Sequence, residues 1–310
     1  MNFISYDGTL EEMFNSPEGR ECDVVVDAAA HYGPDAPFAI TYLLKNEDKL
    51  HPKGFYAEPF YHPPVAIETG DGMIKSYYEL LRSLDVSGRG DLNDIVFRGS
   101  RYFLPNDCKP IESDAALHLS ALANDYDKDY PLYIIALGPI TNIASALMLN
   151  PTMKDKCVLL WQGGDSYDWD HLNDENMLFD IEAARVVLSS GMPVVLFPSL
   201  GVIDHFTISK VEINHYLVGR NASLDRICDR LLTEYLVNYH PYWSINLRGV
   251  PLVAWLLGEK EEYMRYKLRY VRLPSSEGKY EPKPLNQLIG YVYQIKNDVL
   301  MNDFIKKLTR

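Results

Sequence analysis

Two loops hold most of the residue types that could do chemistry. The first lies within residues 23–44, DVVVDAAAHYGPDAPFAITYLL, which begin as a buried strand and end as an apolar helix. Between the two stand Asp27, His31 and Asp35. Carboxylates and an imidazole in one short loop are the ordinary parts of acid–base catalysis. Strand-to-helix loops in open α/β sheets are also where such proteins place their sites. The plainer use is equally physical: Asp favours strand ends and helix N-caps, and a loop histidine can simply be solvated. Alanines at 28, 29 and 30 leave this loop chemically sparse. The second loop, 165–170 (DSYDWD), gathers Asp165, Asp168 and Asp170 around Trp169. Such a density of carboxylates suits a cation or a solvated turn.

These loops need a scaffold, and its elements are legible. Four runs are apolar, continuous and bounded by Gly, Pro or Asp: 23–27 (DVVVD), 133–137 (YIIAL), 157–161 (CVLLW) and 192–198 (MPVVLFP). Strands covered on both faces have this pattern. Helical patterns fall between them, at 72–84, at 113–124 from a Ser cap, and at 141–149 after a Gly-Pro turn. Another spans 180–190, with Asp180 as N-cap and Gly191 as C-cap. Alternating β and α units predict a Rossmann-like α/β fold, a mostly parallel sheet with helices on both faces. Residues 203–242 have a helical pattern, 263–288 read as irregular, and 298–308 as a closing helix. With no repeat or linker, residues 1–310 form one domain, and 203–290 are expected to give a helical cap over its pocket.

Bulk properties exclude several classes. The chain has 310 residues, 47% hydrophobic and 24% charged, with a formal net charge of −13. That balance argues against nucleic acid as partner. No run reaches the ~18 apolar residues of a membrane span, and no apolar signal core opens the chain, so a cytoplasmic, membrane-free protein is expected. Cys22, Cys108, Cys157 and Cys228 fit no zinc or CxxC spacing and read as buried or half-buried thiols.

By residue 180 the motifs resemble a known family. Residues 133–147 (YIIALGPITNIASAL) and 161–188 (WQGGDSYDWDHLNDENMLFDIEAARVVL) are similar to stretches of the calcium-dependent nucleoside hydrolases of the inosine/uridine-preferring type. PFYH at 59–62 and VFRGS at 96–100 keep the family's order, and the resemblance runs from about 17 to 308. It implies a sheet-edge Ca²⁺ that binds ribose hydroxyls and a water, and hydrolysis through an oxocarbenium-like transition state.

Set against that family, the first loop explains its own sparseness. The family pattern is roughly D-T-D-A-x-N-E-x-D-D-Q-F-A-I; residues 27–40 here are DAAAHYGPDAPFAI, with no gap. Asp27 and Asp35 match carboxylates of the metal site, and Thr141 matches the residue whose carbonyl touches the metal. Ala29 stands where the water-activating Asp belongs, and Ala36 where a chelating Asp belongs. A late Asp ligand is replaced around Arg248-Gly249, with no Asp or Glu from 243 to 257. Sugar-handling positions remain: Asn176, Asp174 for a Glu, His62 for an Asn, and Asp168 near a ribose contact. The aromatic run 239–243 (YHPYW) falls in the capping region and suits base stacking or core packing.

Three functions follow from the resemblance. One is a lapsed homologue, weak or inactive, that still binds a nucleoside or ribosyl compound. Another is an active N-glycosidase with a rearranged, metal-independent site drawing on His31, Asp35, His62 and Asp174. The third is a non-catalytic scaffold or partner subunit. No cofactor is expected, Ca²⁺ only if the site is compensated, and a homo-oligomer is conceivable.

Overall fold

The apolar runs form the centre of one eight-stranded sheet in the computed structural model, which describes residues 14, 17, 19–33, 35–235, 243–258 and 262–310. They become β1 (Cys22–Ala28), β4 (Leu132–Leu137), β5 (Cys157–Gln162) and β6 (Val194–Phe197). Four strands of this sheet go beyond the expected runs: β2 (Leu50–Ala57), β3 (Val96–Arg98) and, late in the chain, β7 (Met264–Tyr270) and β8 (Leu288–Ile295). The antiparallel edge is β7 (Met264–Tyr270). Strand order is β3-β2-β1-β4-β5-β6-β8-β7, and every neighbouring pair except β8–β7 is parallel.

Both sheet faces are covered, as the continuous apolar runs require. On β1, Val24, Val26 and Ala28 pack into one core cluster and Val25 into another. The first cluster takes the helices Ala36–Leu44 and Val250–Leu257; the second takes Asp114–Leu122, Thr141–Leu149 and Ile181–Leu188. Helix ends follow the sequence. Ser113 accepts from Ala116 N at 3.2 Å, Asp180 accepts from Ala183 N at 2.9 Å, and Gly191 is left-handed at φ +88°.

The irregular reading of 263–288 is corrected. That stretch supplies β7, a short pairing of Pro274–Ser275 with Lys279–Tyr280, and the start of β8. β7 reads MRYKLRY; an antiparallel edge strand solvated on one side carries charges that mask its pattern. The span 203–290 is therefore not helical throughout. Its described part holds short helices, the pairing of Thr207–Ser209 with Ser244–Asn246, and then strands of the main sheet. Tyr239, His240, Pro241 and Tyr242 lie outside the described residues; Trp243 is buried in the core. No helix among the described residues is long and apolar enough to cross a membrane. Cys22, Cys157 and Cys228 are buried and Cys108 half-buried, all four as free thiols.

Strand order reverses between β1 and β4, and their C-terminal ends open a crevice there. Open α/β sheets bind ligands at such a switch point.

Candidate functional site

A cleft of ≈ 820 Å³ lies at that crevice. Its walls come from the loop after β1, from His62, from the end of β5, from 173–176 and from 244–248. Five residues singled out in the sequence line it together: His31, Asp35, His62, Asp174 and Asn176. Ala29 and Ala36 line it too. Asp27, Thr141 and Asp168 do not. Asp168 is exposed and meets Arg269 at 3.4 Å on the outer surface. The Thr141 hydroxyl donates to Asp180 at 2.6 Å.

Each lining residue is held by an identifiable contact. His31 is half-buried, its Nδ1 3.5 Å from the buried carboxylate of Glu79. Burial opposes charge on Glu79, yet His31 and Arg230 hold its carboxyl below the usual range. His31 is therefore tethered rather than a solvated loop histidine. Asp35 occupies the N-cap position of Ala36–Leu44 but makes no capping hydrogen bond. Burial raises its carboxyl, opposed by the Arg248 charge and nearby backbone N–H groups. Asp174 caps the helix Glu175–Phe179, accepting from Met177 N at 2.9 Å and from Gly164 N at 2.7 Å. Burial raises its carboxyl as well, against those hydrogen bonds and Arg248. The Asn176 amide donates to the Gln162 carbonyl at 2.9 Å. His62 packs edge-on to Tyr32 at 5.2 Å, and Tyr32 also meets Phe60 and Phe179. This gives the cleft one aromatic wall.

The acidic loop 165–170 does not converge. Asp165 is fully buried and accepts from Asn173 N and Asp174 N at 2.8 and 2.9 Å, whereas Asp168 and Asp170 face outward. Trp169 stands 5.1 Å from His171 and does not line the cleft.

Beneath Ala29 lies a carboxyl pair that sequence reasoning missed. Register sets Ala28 beside Ala57, which brings Glu58 near Asp27 at the strand ends, where each carboxyl feels the other. Both are fully buried. Asp27 Oδ1 accepts from the Asn142 amide at 2.9 Å. Burial raises both groups: Asp27 to about 7, and Glu58 well above the carboxylate range, reinforced by the charge of Asp27. Two buried like-charged carboxyls disfavour double ionisation, so the pair holds on to protons.

The residues present do not fit Ca²⁺. It takes ~6–8 oxygens, with carboxylates supplying most of the affinity. At the matched positions the cleft offers two alanine methyls. Gly249 has no room for a side chain, since a Cβ there would stand 2.9 Å from Ala39 Cβ and 3.2 Å from Leu137 Cδ2. Asp27 and Glu58 are closed off from solvent, and no three His, Cys, Asp or Glu converge among the described residues.

Comparison with known proteins agrees with the fold. Residues 58–273, more than half of the chain, match the family described as inosine-uridine preferring nucleoside hydrolase. The chain belongs to this family. It is 28% identical over 162 residues to the pyrimidine-specific ribonucleoside hydrolase RihA of Enterobacter sp. (strain 638), covering 50% of each chain. To RihA of Salmonella enteritidis PT4 (strain P125109) it is 28% identical over 210 residues, 65% of this chain and 63% of that one. The chain thus spans about half the length of the first of these curated relatives. Among solved structures, the plant nucleoside hydrolase PpNRh1 superposes with a TM-score of 0.71 at 17% identity, covering 93% of this chain and 99% of that one. A purine-preferring ribonucleoside hydrolase from Gardnerella vaginalis gives 0.68 at 18%, covering 93% and 98%. At such identities the likeness establishes the nucleoside hydrolase fold.

Besides Glu58, Gln162 in the cleft carries no signal in the sequence, and Arg248 enters there only as part of the replacement for a late Asp ligand. Gln162 ends an apolar strand, and Arg248 comes from a distant segment. No local spacing marks either as facing this cleft.

Proposed function

We propose that this member of the nucleoside hydrolase family binds the ribosyl part of a nucleoside in the switch-point cleft, without Ca²⁺, and hydrolyses ordinary nucleosides weakly or not at all. The observation that carries it is the make-up of the cleft wall. His62, Asp174 and Asn176 line it as polar groups, and Ala29 and Ala36 line it at the positions where the family pattern calls for water-activating and metal-binding carboxylates. Losing a general base typically costs ~10²–10⁴ in rate, and losing the metal's charge adds to that.

The experiment is a reducing-sugar assay at high protein concentration with purine and pyrimidine nucleosides, in Ca²⁺ and in chelator. Asp35→Ala serves as the contamination control. Rates at background in both conditions are expected, alongside measurable nucleoside binding. Turnover that needs Ca²⁺ would sink the metal-free reading.

One observation favours a second reading, an active metal-independent N-glycosidase. His31 is oriented by Glu79 and shares the cleft with Asp35, whose burial favours its protonated form. In that reading His31 takes a proton from the attacking water and Asp35 donates one to the departing base. Turnover that survives chelator and dies in Asp35→Ala would select it.

A further inference from the structure

We infer that Arg248 and Gln162 hold the hydroxyls of a neutral sugar ring directly, so that recognition in this cleft uses a guanidinium and an amide in place of a divalent cation. The inference rests on the ribosyl-binding reading above.

Gln162 is only 6% exposed and lines the cleft from the end of β5. Its Oε1 is buried and accepts no hydrogen bond among the described residues. Its backbone is fixed on both sides, by pairing with Phe197 and by the Asn176 amide on its carbonyl. An oriented, buried acceptor without a partner is costly unless something fills it. Arg248 lines the same cleft, and its Nε is likewise buried without a partner. Asp35, Asp174 and Glu175 all feel its charge, so it sits amid carboxyls.

That arrangement selects the chemistry of the ligand. A phosphate or carboxylate would meet three carboxyl groups; a metal ion would meet Arg248. A hydroxyl both donates and accepts. A vicinal diol placed between Arg248 and Gln162 can accept from the guanidinium and donate to the amide oxygen and to a carboxylate. The cleft volume of ≈ 820 Å³ leaves space for a nucleoside-sized molecule around that contact.

The test is isothermal titration calorimetry of the full chain with uridine and with inosine, in EGTA and in CaCl₂. The expected result is the same Kd in both. Arg248→Met should weaken binding about tenfold or more, because a charged donor is lost, and Gln162→Leu about fivefold. Arg248→Lys should fall between wild type and Arg248→Met, because it keeps the charge and loses the fork. Thermal unfolding of each variant checks folding, and Arg248→Lys is read if Arg248→Met does not fold. Binding that requires Ca²⁺, or wild-type affinity in both Arg248→Met and Gln162→Leu, overturns the inference and leaves ribosyl binding standing. A folded wild type that binds neither probe in either buffer removes the ribosyl reading, and this inference with it.

Discussion

Asp27 and Glu58 set two carboxyl groups side by side out of reach of solvent. Their raised pKa values have a thermodynamic consequence with a definite sign. The native pair holds protons that the unfolded chain has already released above the ordinary carboxylate range. Its contribution is complete below about pH 4 and is lost as pH rises, for Asp27 through about 7 and for Glu58 beyond. Each excess proton costs about 1.4 kcal/mol per pH unit. In Glu58→Gln the amide donates to Asp27 without titrating. The stability of wild type relative to this variant should therefore decline between about pH 5 and 8, measured by urea unfolding in matched buffers. Parallel curves would mean that the native pair does not retain its protons. At this scale the sequence was legible where a residue sat in a motif, as with Asp174, Asn176 and His62. Glu58 was not, although it precedes the PFYH motif by one position. Its partner is set by strand register, which no local pattern reveals.

Elements were more legible than residues, and the reason lies in burial. Strands covered on both faces must be continuously apolar, so β1, β4, β5 and β6 declare themselves. β7 alternates charge with apolar residues at an edge, and β2 carries His, Pro, Lys and Gly among its first five residues. Both hid for that reason. The ends of elements bring their own constraint. Gly138, just past β4, lies against the loop that follows β1. A Cβ there would meet the Glu58 carboxyl, Ala29 Cβ at 2.9 Å and Ala29 N at 3.0 Å. Gly138→Ala should therefore destabilise by roughly 1–3 kcal/mol through overpacking, seen as a lower urea midpoint with unchanged slope. An unchanged midpoint would mean that the floor of the cleft is looser than this packing implies.

For the whole molecule, the site exists only by convergence. Ala29, His62, Gln162, Asp174 and Arg248 come from distant parts of the chain and meet where strand order reverses. The fold class implied a crevice, but its side-chain lining depended on tertiary packing. Net charge adds a complication to any metal experiment. At −13 the molecule attracts cations diffusely whether or not it has a site. Thermal unfolding should therefore be compared in about 1 mM CaCl₂ and in EGTA at matched ionic strength, with Mg²⁺ as a second control, since diffuse attraction is screened and unselective. A site with Kd of about 10 μM would add about 2.7 kcal/mol at that concentration, a rise of a few degrees for a chain of this size. Coincident curves are expected, because Arg248 lies among the carboxyls of the cleft and Ala29 and Ala36 add none. A rise with Ca²⁺ alone would mean that the carboxyls of the cleft, or the buried pair beneath Ala29, take the metal, and the metal-free account of this cleft would then fail.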